Sequence, residues 1–397
     1  MRRFPASAVI PILYILMISL TTRPSAHANY ELSPSKMLTS TGSIFYSSFI
    51  SKGTTINLNN LYANASPNNY QPNGWAILRD LGINTIDARG GCDGQWIYRW
   101  DPSNDPVNWA NNFEAFLAQA DSHGIKVIFS MLGDYWGGLF GITCPEPYGG
   151  FAGITVAQAK TLIDMLAGAN SLNHNYFTDP RIIMWSSSNE VDIGNSVTRD
   201  WVLQTTDYMR SKGAKVFVSC PRNSQYSTDW MGSISFQAVE PVLRGHVDYM
   251  SYHDYRIYEY VLAKNAAVAR GETGQILYNT LYNSAYNLFK ADFQNYVLNA
   301  RGPMPVENII WGEFGLWNGY DSGAGIGLPA TFTDADRGAY YSAVYQVAKD
   351  LGIKHMFNFL CFQQIEGGGN YQRRYEIVDV GGVYFTACTS VLQQYYR

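Results

Sequence analysis

Two acidic residues in this chain end apolar runs that no solvent-exposed segment would carry. Ile182-Ile183-Met184-Trp185 leads through three serines into Asn189-Glu190, and Ile309-Ile310-Trp311-Gly312 leads into Glu313. A short run of β-branched and bulky residues is the pattern of a strand buried on both faces, so the polar residues belong at its C-terminal end. Two carboxyl groups placed alike can divide a displacement reaction between them. One gives a proton to the leaving group while the other attacks, or activates water. Between the two carboxylates, His253-Asp254-Tyr255 ends a third apolar run, and Arg89 follows a fourth.

Side chains at the C-terminal ends of several parallel strands are how barrel enzymes of the (β/α)8 type build their sites. Glu190 and Glu313 lie roughly 120 residues apart, which is three strand-helix units of about 40 residues, the interval between a fourth and a seventh strand. The rest of the chain keeps that rhythm. Periodicity predicts strands over 43–50, 83–88, 126–132, 182–190, 215–220, 247–255, 308–314 and 355–362. Helical patterns intervene over 74–81, 112–123, 156–167, 198–212, 285–300 and 335–351, and 57–73 has the Asn, Pro and Tyr content of a loop. The expected fold is α/β, a single (β/α)8 TIM barrel with long aromatic βα loops. Trp96, Tyr98, Trp100 and Trp109 follow the second strand, Tyr135 and Trp136 the third, and Trp317 and Tyr320 the seventh, so all are expected near the barrel mouth. The ordinary role of any one such ring is loop packing. Gathered together, they would make stacking platforms.

Composition narrows the partners. A net charge of −4 without a basic stripe gives no electrostatic reason to expect a nucleic-acid partner, and none is expected. Aromatic residues make up 15% of the chain, as many as the charged ones, a balance suited to a protein that meets sugars or to a large aromatic core. Arg2 and Arg3, the apolar run 8–20 and the Ala26-His27-Ala28 site form a secretory signal, so residues 1–28 are expected to be removed and 29–397 to form one catalytic domain. The product is expected outside the cytoplasm, secreted or periplasmic, with no stable membrane association after cleavage, and as a monomer. Asn64-Ala65-Ser66 is a glycosylation sequon. Of the five cysteines, Cys92 and Cys144 follow neighbouring strands and are candidates for a disulfide, whereas Cys220 and Cys361 lie in apolar strand patterns as buried thiols. No CxxC or Cys/His cluster argues for a metal, and no cofactor is expected.

With Asn189-Glu190 at the end of the fourth strand, Glu313 at the end of the seventh and His253-x-Tyr255 at the end of the sixth, the chain resembles the glycoside hydrolases of clan A, most nearly those of family 5, the cellulase and mannanase type. The resemblance spans nearly the whole chain in strand order. It implies a retaining hydrolase of β-glycosidic bonds in a polysaccharide or oligosaccharide, with Glu190 as acid/base and Glu313 as nucleophile. Tyr255 would donate a hydrogen bond to the ionised nucleophile, and Arg89, with Asp87 on the same face, would hold its charge. His253 would contact the sugar or the acid/base, Asn189 the sugar 2-hydroxyl, and Trp136 and Trp317 the sugar faces. Two places depart from the family pattern. Gly133-Asp134-Tyr135 stands where a histidine follows the third strand, and Phe362-Gln363 where a tryptophan ends the eighth. Two alternatives are a noncatalytic carbohydrate-binding barrel and a metal-dependent barrel hydrolase, the latter disfavoured by the absence of His-x-His pairs at strand ends.

Overall fold

The computed structural model describes residues 73–89, 108–130, 155–187, 193–218, 236–299, 301–316, 332–358 and 386–396, with the main chain alone at 37–38, 44–45, 52–57, 89 and 236–238. Met37–Leu38 (β1) and Ile44–Phe45 (β2) form a small antiparallel pair. The following strands are β3 (Lys52–Asn57), β4 (Thr85–Arg89), β5 (Lys126–Ser130), β6 (Ile182–Ser186), β7 (Phe217–Val218), β8 (Tyr249–His253), β9 (Ile309–Phe314) and β10 (His355–Asn358). These eight form one sheet in the order β6-β5-β4-β3-β10-β9-β8-β7, and all of its pairings are parallel. The two end strands also meet. Trp185 bridges to Val216 in parallel fashion, and its N–H donates to the Lys215 carbonyl at 2.8 Å.

The first strand of the sheet is not where periodicity put it. Of residues 43–50 only Ile44–Phe45 are described, as β2 in the small pair, and Lys52–Asn57 is the strand that runs beside β4 and β10. The bulky run before it has the higher strand propensity. Pairing on both edges decides for Thr54-Thr55-Ile56, because strand propensity depends on the neighbours a segment finds.

Helices α1 (Gly74–Asp80), α2 (Trp109–Ser122), α3 (Val156–Leu166), α4 (Ser196–Ser211), α5 (Phe236–Leu243), α6 (Ile257–Ala269), α7 (Gly274–Asp292), α8 (Asp334–Leu351) and α9 (Thr386–Tyr396) alternate with the strands or follow them. Local chemistry marks several starts. Thr155 and Gln158 form a capping box on α3, Thr333 and Asp336 another on α8, and the Asn195 side chain caps α4. The helix expected over 285–300 is the later part of a longer one, since α7 starts at Gly274 and runs into a π-helical turn, Phe293–Leu298, and α6 before it was not expected. Among the described residues no helix is long and apolar enough to cross a membrane.

The alternation of side chains divides the interior in two. Ile128, Met184, Phe217, Tyr249, Ile310 and Phe357, one from each of six strands, meet in a cluster on one face of the sheet. The rings of Tyr249 and His355 touch at 5.6 Å, although β9 lies between their strands, so the sheet curves around this cluster. The other face packs against the helices, and much of the aromatic content lies there. Trp185, Trp311, Tyr252, Tyr340, Tyr341, Phe113 and Phe116 are fully buried, and pairs such as Phe293 with Trp311 at 4.5 Å link helix to strand. Trp109, expected among the rings of the barrel mouth, belongs to this layer instead. As the first residue of α2 it is buried against Tyr176, because the helix begins three residues earlier than its apolar spacing indicates.

Candidate functional site

Strict alternation along β9 would turn Glu313 away from the inner face. Ile310 belongs to the inner cluster, whereas Ile309 and Trp311 pack outward, so residue 313 would follow Trp311 out. The strand avoids this by a bulge. Against β8 the register passes from Tyr252 opposite Trp311 to His253 opposite Glu313, and against β10 from Met356 opposite Trp311 to Asn358 opposite Phe314. One extra residue therefore lies in β9 around Gly312. Beyond it Glu313 joins His253 and Tyr255, while Phe314 takes the outward place against Tyr345.

Gly312 also makes room. A Cβ there would lie 1.9 Å from Oγ of Ser251 and 2.9 Å from Nε2 of His253, so the neighbouring strand presses its side chains onto bare backbone. A lone glycine in an apolar strand just before an acid is the sequence signal that could have revealed the bulge.

Glu313 is buried, as are His253 and Tyr255. The Tyr255 phenol donates a hydrogen bond to Oε2 of Glu313, and Nδ1 of His253 lies 3.5 Å from the same oxygen. The main chain reinforces the arrangement, since the N–H of Asp254 donates to the Glu313 carbonyl at 3.0 Å and the Tyr340 hydroxyl donates to the Tyr255 carbonyl at 2.7 Å. A carboxylate held in one orientation by a phenol in a largely dry setting is suited to attack, or to stabilise positive charge that develops beside it.

Of the sequence-predicted residues, the structure therefore brings together Glu313, Tyr255 and His253. The main chain of Arg89 ends β4 opposite Asn57, and Asp87, two residues before it, is fully buried. Ile86 and Ala88 pack on the helical side, which leaves positions 85, 87 and 89 on the inner face. Asn189, Glu190, Trp136 and Trp317 lie outside the described residues, as do the cysteines at 92, 144, 220 and 361, the other mouth aromatics, the residues 133–135 and 362–363, and the sequon at Asn64. Ser251, Gly312 and Tyr340 were not anticipated from the sequence.

Among the described residues, one group of side chains comes close enough to share a metal ion, Glu114, His174 and Asp179. It precedes β6 and so lies at the opposite end of the strands from Glu313. Its carboxylates are already engaged, because Arg181 reaches Glu114 at 2.5 and 2.7 Å and Asp179 at 2.6 Å. This is a structural ion cluster tying α2 to the entrance of β6.

No family model matches the chain, and no curated protein matches it in sequence. Solved structures do match in fold. An endo-1,4-beta-mannanase from Rhizomucor miehei superposes with a TM-score of 0.54 at 18% identity, over 89% of this chain and 96% of that one. A family 5 mannosidase from the same organism gives 0.53 at 13% identity, over 89% and 94%. A GH51 arabinofuranosidase from Xanthomonas axonopodis pv. citri gives 0.55 at 12% identity, over 87% and 73%. The chain thus shares an α/β fold with a parallel sheet with glycoside hydrolases, at a likeness that speaks for the fold.

Proposed function

We propose that this chain is a retaining glycoside hydrolase that cleaves β-glycosidic bonds in a polysaccharide or oligosaccharide, built on a closed (β/α)8 barrel. The observation that carries the proposal is the contact of Tyr255 with Glu313 on neighbouring strand ends, with His253 beside it. A nucleophilic carboxylate must stay ionised and aimed while a sugar approaches, and a phenolic donor does both. In this reading Glu313 attacks the anomeric carbon, and Glu190 protonates the departing oxygen. Formation of the glycosyl ester removes the charge on Glu313. Glu190, now without a repulsive neighbour, takes a proton from water, which breaks the ester with net retention. Asn189 holds the 2-hydroxyl, Arg89 supports the nucleophile, and Trp136 and Trp317 stack on the sugar. The signal over 1–28 directs the enzyme out of the cytoplasm toward its glycan.

The fold neighbours named as mannanases make β-1,4-mannans the first substrates to try, beside cellulosic and arabinose-containing glycans. Proton NMR of the first product tests the mechanism. The β-anomer from a β-glycan is expected, with turnover abolished and glycan binding kept in Glu313→Ala. An α-anomer as first product overturns the nucleophile assignment. Binding without turnover across the panel would favour a carbohydrate-binding barrel.

A further inference from the structure

Only three residues, Asp254, Tyr255 and Arg256, connect the end of β8 to the start of α6. The last of them has φ 44° and ψ 37°, the left-handed region, which is uncommon for a residue with a Cβ and easy for glycine. The chain nevertheless carries arginine here, and its guanidinium meets three carboxyl groups. Nε lies 3.0 Å from Oδ1 of Asp254, Nη1 donates to Oε1 of Glu259 at 3.2 Å, and Nη2 donates to Oδ2 of Asp292. Tyr252 completes the net, with its hydroxyl 3.3 Å from Asp254 and 3.0 Å from Asp292. Tyr252, Asp254 and Asp292 are all buried. Asp292 is the last residue of α7, where the helix passes into its π-helical turn, so the net joins strand, turn and two helices at a place where the helix itself is irregular.

The phenol that reaches Glu313 sits between two members of this net. We propose, on the basis of the glycosidase reading, that Arg256 is a positioning residue: by gripping Asp254 and Asp292 it holds the three-residue turn in the left-handed conformation that delivers the Tyr255 phenol to Oε2 of Glu313. Backbone irregularity of this kind persists where the surroundings over-determine it, and it gathers at functional sites. Burial pushes the Asp254 carboxyl well above the usual carboxylate range, and the guanidinium of Arg256 opposes that shift. Without the guanidinium, the turn would lose the charge that keeps its two flanking carboxylates together.

Arg256→Gly separates the two tasks of the side chain, because glycine accepts the turn's backbone without strain while removing the guanidinium. The expected result is a loss in kcat of about 30-fold with KM within about threefold, and no further loss when Arg256→Gly is added to Tyr255→Phe. Retained kcat, or losses that multiply in the double variant, would overturn the proposal, since a general structural role predicts either. A crystal structure of Arg256→Gly gives a reading independent of turnover. The Tyr255 to Glu313 hydrogen bond is expected to be broken there, and its survival sinks the proposal even if the wild-type enzyme proves inactive on every glycan. Should Arg256→Gly fail to fold, Asp292→Asn keeps the shape of the net, removes one charge and is judged by the same kinetics and the same distance. Absence of wild-type turnover counts against the glycosidase reading alone.

Discussion

A Cβ on Gly312 would sit 1.9 Å from Oγ of Ser251, closer than any non-bonded pair can approach. The contact spans two strands, where neither backbone is free to withdraw, and it lies one residue before Glu313. Gly312→Ala is therefore expected to destabilise the fold by about 1–3 kcal/mol, the usual cost of overpacking a tight interior. Its effect on turnover should be larger in proportion, about tenfold or more, because the displaced His253 and Glu313 belong to the proposed site. Adding Ser251→Gly should recover part of the stability, as read from urea denaturation. If the single variant proves as stable as wild type, the strand has more room than the contact allows.

Tyr255→Phe deletes the hydroxyl at Glu313 and keeps the ring and the main-chain bond to Tyr340. Hydrogen bonds to charged groups are worth about 1.5–3 kcal/mol, so kcat should fall roughly 10- to 100-fold with KM little altered. The thermal midpoint should also fall, by a few degrees, because the same buried hydrogen bond contributes to folding stability. Steady-state kinetics on the best glycan substrate would show this, and an unchanged kcat would remove the phenol from the mechanism.

Stability should depend on pH through His355. Burial lowers its pKa from the ordinary 6.5 to about 4, against an opposing hydrogen bond with the main chain at Glu307. Between those values the unfolded chain binds the proton and the folded one does not, so folding stability is full above about pH 6.5 and declines as pH falls toward 4. On the order of 2 kcal/mol should be lost between pH 7 and pH 5. Denaturation midpoints across that range should flatten in His355→Gln. An identical slope in the variant would assign the dependence to other groups.

Arg181 stands between Asp179, whose side chain is almost wholly buried, and Glu114. Arg181→Met leaves the Asp179 carboxylate with only His174 and the main-chain N–H of residue 181 as partners, and breaking a buried pair from one side costs about 3–5 kcal/mol. Arg181 keeps some solvent contact, which places the expected loss toward the lower end. Adding Asp179→Asn should restore a good part of it, with chemical denaturation as the measurement. No recovery would mean that Arg181 acts chiefly through packing.

How much of this was open to a reader of the sequence varies from residue to residue. The apolar runs before Glu313 and His253 are strands because their content permits little else, and the caps of α3 and α8 are written in adjacent residues. Helix α6 and the first turns of α7 were less visible, since α6 mixes Tyr, Val, Leu and Ala around its whole surface without a sharp apolar face. Helix α9 was missed altogether. Its value lies in partners far away, such as the Tyr345 hydroxyl that donates to that of Tyr396 at 2.7 Å and the close approach of Tyr396 to Gly82. The charged net around Arg256 was equally hidden, because Asp292 comes from another helix.

The amino-acid order by itself determined most of the strands and helices, β3, α6 and α9 excepted, and that Glu313, His253 and Tyr255 stand at strand ends, because local periodicity depends only on neighbours along the chain. Tertiary structure decided which way those residues look. Whether Glu313 faces His253 or the helices depends on one extra residue in β9, and a bulge exists only relative to the strands on either side of it. The left-handed turn at Arg256 has the same origin, since the carboxylates that hold it come together only once the chain has folded.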